Sequence, residues 1–215
     1  MRVPSPFSHS SSGDALAAIR ERGASARVIV AIAGPPGSGK STFAARVVDV
    51  LNAGEPRAAA LLAMDGFHFD DTVLLERGLR PRKGAPQTFD VGGLEHCLGR
   101  LRRNTEDEIA VPVFDRAIEI ARAGAAIIPR SAKYVVVEGN YLLLDQEPWT
   151  RLAQYFDLTI FLAVEDHVLR ERLERRWREV GYDEERLRTK LDGNDLPNVA
   201  LVKSRSRIAD FVIAN

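Results

Sequence analysis

Gly34-Pro35-Pro36-Gly37-Ser38-Gly39-Lys40-Ser41 decides how the rest of the chain is read. Every fixed position of the pattern G-x-x-x-x-G-K-[ST] is met. The flanks fit as well, with the apolar run Val28-Ile29-Val30-Ala31-Ile32 before it and helical spacing from Thr42 after it. The glycines let the backbone double back so that successive N–H groups point inward at phosphate oxygens, and the following helix adds its positive end. Gly34, Pro35, Pro36, Gly37, Ser38, Gly39, Lys40, Ser41 and Thr42 are therefore the candidate nucleotide-binding residues. In this arrangement Lys40 reaches the β- and γ-phosphates, the Ser41 hydroxyl ligates Mg²⁺, and Thr42 adds a contact to the α-phosphate. Gly37-Ser38-Gly39 also begins like a dinucleotide fingerprint, but the third glycine is missing and Lys40-Ser41 points to a nucleoside triphosphate such as ATP.

Outward from this loop the apolar runs are short: Ala58–Met64, Tyr134–Val137, Leu158–Leu162 and a weaker one at Ala209–Ile213. With Val28–Ile32 they make five, each continuous rather than alternating, as strands buried on both faces require. Helical spacing lies between them, over Thr42–Leu51, Gly93–Leu101 and Asp166–Val180. The reading is an α/β fold, a parallel five-stranded sheet flanked by helices, in one domain over 1–215. Residues 70–130, rich in Gly, Pro and charge, are expected to form an insertion over the sheet edge on the acceptor side. Residues 166–190 are expected to form a helical lid.

Composition narrows the function. Thirty basic and 30 acidic residues give zero formal charge, which argues against a nucleic-acid backbone as partner. The single cysteine, Cys97, excludes an internal disulfide and a cysteine-built zinc site, and it reads as a buried thiol. No run reaches the roughly 18 apolar residues that span a bilayer. The start, Met1–Asp14, is rich in Ser and has two prolines but no signal-type apolar run, so a cytoplasmic protein with no membrane insertion is expected.

A phosphate loop alone leaves switches, hydrolases and kinases open. Asp90-Val91-Gly92-Gly93 and Thr189-Lys190-Leu191-Asp192 resemble guanine-switch motifs, but neither follows the end of a buried strand. The second run ends in Met64-Asp65-Gly66-Phe67-His68, and a carboxylate there faces the same crevice as the loop. Asp65 can take the proton of an attacking hydroxyl, and His68 is a candidate hydrogen-bond partner of the acceptor. The third run ends in Val137-Glu138-Gly139-Asn140-Tyr141, which places Glu138 beside Ser41 as the second group of a Mg²⁺ site and at the substrate pocket. From Glu165 to Lys190 eight basic and eight acidic residues alternate. Helical spacing brings Arg172, Arg175 and Arg176 together, and Arg172 and Arg176 are the candidates for neutralising the transferring phosphoryl group.

These residues resemble the P-loop kinases that include uridine kinase, phosphoribulokinase and bacterial pantothenate kinase. The likeness runs from about Val28 onward. It rests on Gly34–Ser41, Met64-Asp65-Gly66-Phe67, Glu76-Arg77-Gly78-Leu79, Arg82-Lys83-Gly84-Ala85-Pro86 with Phe89-Asp90, Pro112-Val113-Phe114-Asp115 and Val137-Glu138-Gly139. Val136–Leu144 and Asn194-Asp195-Leu196-Pro197-Asn198 look most like bacterial proteins named as kinases of fructose transport systems. The resemblance implies Asp65 as base, Lys83 flanking the acceptor pocket, Asn194 and Asn198 near the nucleotide base, and ATP with Mg²⁺ as cofactors. Arg116 stands where pantothenate kinases have a histidine, and it suits a polyhydroxyl or an anionic acceptor. The implied activity is phosphoryl transfer to a small polar metabolite, a sugar such as fructose first, with pantothenate or a nucleoside as the alternative. A nucleotide-hydrolysing regulator of a transport system is the reading from another class. Family members often form homodimers, which the resemblance carries over as an open expectation.

Overall fold

The computed structural model describes residues 10–24 and 26–215, so Met1–His9, most of the Ser- and Pro-rich start, lies outside the described residues. In chain order the helices and strands are α1 (Ser12–Arg22), β1 (Val28–Ala33), α2 (Lys40–Gly54), β2 (Ala59–Ala63), α3 (Asp71–Glu76), α4 (Val91–Arg103), β3 (Glu108–Asp115), β4 (Ile120–Pro129), β5 (Tyr134–Gly139), β6 (Leu158–Ala163), α5 (Asp166–Glu179), α6 (Glu184–Lys190), α7 (Leu196–Arg205) and β7 (Phe211–Ala214). Five strands form one parallel sheet in the order β2-β5-β1-β6-β7, as the five apolar runs predict.

β1 is central, and all six of its residues are buried. Its alternate side chains serve two cores. Ile29, Ala31 and Ala33 pack with Leu62, Val135 and the α4 residues Leu94 and Leu98. Val28, Val30 and Ile32 pack with Ala15 and Ile19 of α1 and with Ala44, Val47 and Leu51 of α2. That two-sided burial is why the runs are continuous rather than alternating.

The register sets the site. Ile32 and Ala63 both lie opposite Glu138, and Ala33 lies opposite Gly139. The carboxyl ends of β1, β2 and β5 therefore finish level with one another, at the edge where a parallel α/β sheet binds its ligands. Gly37 and Gly39 turn the chain between β1 and α2 with φ of +81° and +80°, a region open to glycine at no steric cost.

Within 70–130 the chain forms α3, short turns, α4 and an antiparallel β3–β4 hairpin. The buried face of α4 belongs to the main core rather than to an overlying layer. The hairpin is absent from the sequence expectation. Pro112 interrupts its first strand, and proline removes a ladder donor, so the run Glu108–Asp115 reads poorly as a strand. The chain accommodates Pro112 with a bulge, where the register shifts between Val111 and Val113. Cys97 is buried in α4, and burial pushes its thiol up to about 11.

Candidate active site

Three elements deliver side chains to one crevice. Lys40 and Ser41 open α2, Asp65 sits in the helical turn Met64–Phe67 after β2, and Glu138 is the next-to-last residue of β5. Lys40, Ser41, Asp65, Asn140, Arg116 and Arg176 line a cavity of about 340 Å³ together with Gly37 and Gly39 of the phosphate loop. Ser41 Oγ donates to Glu138 Oε1 at 3.1 Å. Burial pushes the Glu138 carboxyl up while the Lys40 ammonium pulls it back, and burial pushes Lys40 down against the pull of Glu138 and Asp65. Burial outweighs the mutual attraction in both, so the Glu138 carboxyl stays above its ordinary pKa and the Lys40 ammonium below its own.

The loop fits a polyphosphate. Ser38 is fully buried, and its Oγ has no hydrogen-bond partner. A Cβ built on Gly34 would lie 2.7 Å from that oxygen and 3.1 Å from the Leu162 carbonyl, so only glycine leaves the cradle open. The Ser41 hydroxyl beside the Glu138 carboxylate is a pair of hard oxygen donors of the kind that Mg²⁺ takes alongside phosphate oxygens. Among the described residues no cluster of three or more His, Cys, Asp or Glu side chains offers a cage for a metal independent of the nucleotide.

Asp65 is held from two sides. Arg116 Nη2 donates to its Oδ2 at 2.9 Å. Its main-chain carbonyl lies 2.8 Å from His68 Nδ1, which makes Nδ1 the protonated nitrogen of a neutral ring. The His68 ring lies against Phe89 at 4.0 Å and Phe114 at 4.8 Å, and burial holds its pKa below the usual range. It braces the turn that carries Asp65 and does not line the cavity. Lys83 is also away from the cavity: its Nζ donates to Asp71 Oδ1 at 2.7 Å and to the Glu119 carbonyl at 2.6 Å, tying α3 to the hairpin tip.

The two candidate arginines of α5 divide around the loop. They stand four residues apart on α5, one helical turn. Arg172 Nη1 donates to the Gly37 carbonyl at 3.3 Å and lines a second cavity of about 230 Å³ with Phe43, Arg46 and Asn215. Arg176 instead faces the cavity that holds Asp65. α5 is docked on the loop, since a Cβ on Gly37 would meet Leu173 Cγ at 3.3 Å. Asn194 and Asn198 are buried: Asn194 Nδ2 donates to the Lys83 carbonyl at 3.0 Å and Asn198 Nδ2 to Asn194 Oδ1 at 3.3 Å. They pin the return from α6 to the segment around Lys83 and line neither cavity. Asp90 caps α4 by accepting from Gly93 N at 2.9 Å, and its own N–H donates to the Phe67 carbonyl at 2.8 Å.

Two residues of the crevice escape sequence reasoning. Asn140 lines the cavity with a buried Oδ1 that has no partner, and its position directly after Glu138-Gly139 is the signal that could have found it. Asn215 follows the weakest apolar run and carries no motif, yet its Nδ2 donates to the Ser38 carbonyl at 2.6 Å.

Residues 29–214 match the model of the phosphoribulokinase / uridine kinase family. A protein named YggC from Escherichia coli (strain K12) is 36% identical over 200 residues, covering 92% of this chain and 82% of that one. A Schizosaccharomyces pombe protein, named provisionally as a uridine kinase, is 31% identical over 195 residues, 87% of this chain and 83% of its own. Among solved structures, a protein from Silicibacter sp. TM1040, named provisionally as a fructose transport system kinase, superposes with a TM-score of 0.85 at 36% identity, over 94% of this chain and 99% of that one.

Proposed function

The chain belongs to the phosphoribulokinase / uridine kinase family and is a P-loop kinase with a hydroxyl acceptor, and from that premise we propose that Mg²⁺-bound ATP donates its γ-phosphate to a small polyhydroxy metabolite, a sugar first among them. The observation that carries the reading is the convergence of Lys40, Ser41, Asp65 and Arg176 on one cavity, with Glu138 hydrogen-bonded to Ser41. The name of the Silicibacter relative and the polar lining of Asn140 and Arg116 support a sugar over a nucleoside.

In the proposed reaction the acceptor oxygen forms a bond to the γ-phosphorus, and its proton passes to the Asp65 carboxylate. The bond from that phosphorus to the β–γ bridging oxygen breaks, and ADP leaves with the electron pair. Lys40 and Arg176 hold their charges against the transferring oxygens, and the glycine-rich turn presents its N–H groups to the phosphates. Ser41 and Glu138 would hold the Mg²⁺, which when bound neutralises charge on the β- and γ-phosphates. Arg172, on the other side of the loop, steadies the nucleotide.

Asp65→Asn tests the assignment, because it keeps the shape and removes the base. Turnover with acceptor is expected to fall about 10²–10⁴-fold while a fluorescent ATP analogue still binds. Wild-type turnover in that variant would remove Asp65 from the role. Acceptor-stimulated ADP release across sugars, nucleosides and pantothenate tests the acceptor class, and a nucleoside or pantothenate as the best acceptor would displace the sugar reading.

A further inference from the structure

Arg116 is the first residue past β3, at the tip that leads into β4, and more than half of its side chain is exposed. A guanidinium has five N–H donors in a planar fork. Among the described residues the fork has one partner, Asp65 Oδ2. Arg176 faces the same cavity and has no carboxylate partner among the described residues, its guanidinium resting 5.1 Å from the Trp177 ring. Two forks thus point at one space, with most of their donors unused.

The γ-phosphate accounts for one of them. Arg176 comes from α5, the helix that is docked on the phosphate loop. Arg116 comes from the opposite direction, on the hairpin, and is bonded to the residue read as the base. A base takes the proton of the attacking oxygen on the side away from the leaving group, so a group bonded to Asp65 belongs with the acceptor. A neutral acceptor would leave this fork on Asp65. A carboxylate that keeps a cation at hydrogen-bond distance is the weaker proton acceptor.

We propose that the acceptor carries an anionic group, a carboxylate or a phosphate, near its reacting hydroxyl, and that this group takes the Arg116 fork from Asp65 as it binds. The exchange replaces one charge-assisted pair by another, bidentate where the geometry allows, and frees both carboxylate oxygens of the base. Arg116 is then both a specificity-determining residue and a mask that only the right class of acceptor lifts. Asn140, with its unpartnered Oδ1, is placed to accept from a hydroxyl of the same molecule. The inference rests on the kinase reading given above, and it narrows the sugar to a sugar acid or a sugar phosphate.

The test uses matched pairs that differ only in the anion: D-gluconate against D-glucitol, D-glycerate against glycerol, and D-fructose 6-phosphate against D-fructose. Each is titrated calorimetrically into the full chain loaded with Mg²⁺ and a non-hydrolysable ATP analogue. In at least one pair the anionic member is expected to bind about tenfold or more tightly than its neutral partner, as a charge-assisted fork contact allows. The preference is expected to collapse in Arg116→Gln and to return in part in Arg116→Lys, with melting temperatures unchanged because the side chain is exposed. Which pair responds tells carboxylate from phosphate. Equal binding within every pair, no binding in any pair, or a preference that survives Arg116→Gln overturns the inference. Nucleotide binding, measured first, separates the two failures: a chain that binds the analogue but shows no anion preference refutes this inference alone, and a chain that does not bind it takes the kinase reading down as well.

Discussion

Gly66→Ala would move Asp65, the proposed base, without touching its chemistry. Gly66 follows Asp65 in the turn after β2, and its backbone lies against Pro112 of the hairpin. A Cβ there would sit 2.5 Å from the Pro112 carbonyl oxygen and 2.8 Å from its carbon, against the 3.4 Å at which ordinary contact begins. Both atoms are backbone, so no side chain can swing aside. The turn or the hairpin must shift by about 0.9 Å, which is the 3.4 Å limit less the 2.5 Å observed. Overpacking of this kind costs about 1–3 kcal/mol, and in a chain of this size each kcal/mol lowers the melting temperature by about 2–4 °C. The functional effect should be larger than the stability effect, because a misplacement of order 1 Å at a reacting group costs on the order of 10²-fold in rate. Gly54→Ala is the control: that glycine ends α2 with nothing within 4 Å of the added carbon. It should leave turnover unchanged and hold or raise stability by up to about 1 kcal/mol. Calorimetric melts and acceptor-dependent ADP release read both effects. A Gly66→Ala protein that melts and turns over like the parent would refute the contact argument. One that loses stability but keeps its rate would show that the hairpin yields and Asp65 does not.

Three further outcomes follow from the packing and the charges. Leu98→Ala, at a fully buried position in the core between α4 and the sheet, should cost about 2–5 kcal/mol in chemical denaturation, and a loss under about 1 kcal/mol would mean that this core collapses around the gap. Because burial holds His68 below its usual pKa of 6.5, the unfolded chain takes up the proton first as pH falls below that value, so the parent should lose stability from about pH 6.5 downward at up to about 1.36 kcal/mol per pH unit; His68→Gln should flatten that part of the profile, and an unchanged slope would remove His68 as its cause. Arg172→Ala should raise the KM for nucleotide with kcat largely kept, whereas Arg176→Ala should lower kcat by about 10²–10³-fold; interchangeable effects would refute the division of the two arginines around the loop.

How much of this was legible beforehand depends on how local each signal is. The phosphate loop is contiguous, so its glycines, Lys40 and Ser41 could be read from order alone, and the five buried runs gave the number and kind of strands in the main sheet. Asp65 and Glu138 were legible because the end of a buried strand is a place, not merely a composition. The hairpin was not legible: Pro112 breaks the first strand's pattern, and Gly124 and the small residues around it give the second strand no run. The placements of Lys83 and His68 depend on the hairpin. Lys83 is claimed by the Glu119 carbonyl at its tip and by Asp71, and His68 is sandwiched by Phe114, which β3 supplies. A sequence in which the hairpin is invisible leaves both side chains free to be assigned to the acceptor. Asn215 was illegible for another reason, since its contact with the Ser38 carbonyl joins residues 177 positions apart.

The site's geometry is set by two glycines that carry no chemistry. Each of the two carboxylates at the strand ends is followed by one, in Glu138-Gly139 and Asp65-Gly66. A Cβ on Gly139 would lie 2.4 Å from Met64 Cβ, and one on Gly66 would lie 2.5 Å from the Pro112 carbonyl. The contacts form a chain: the Glu138 carboxylate is spaced from Asp65 by Met64 packed on Gly139, and Asp65 is spaced from Arg116 by Pro112 packed on Gly66. Glu138, Asp65 and Arg116 are therefore registered through two close contacts, one with the Met64 side chain and one with the Pro112 backbone, that only a hydrogen at Cα permits. The nucleotide half of the site does not depend on the second contact. On the proposed reading, exchanging residues 116–119, between β3 and β4, is expected to change acceptor preference while nucleotide affinity holds, whereas a substitution at Gly139 is expected to lower both.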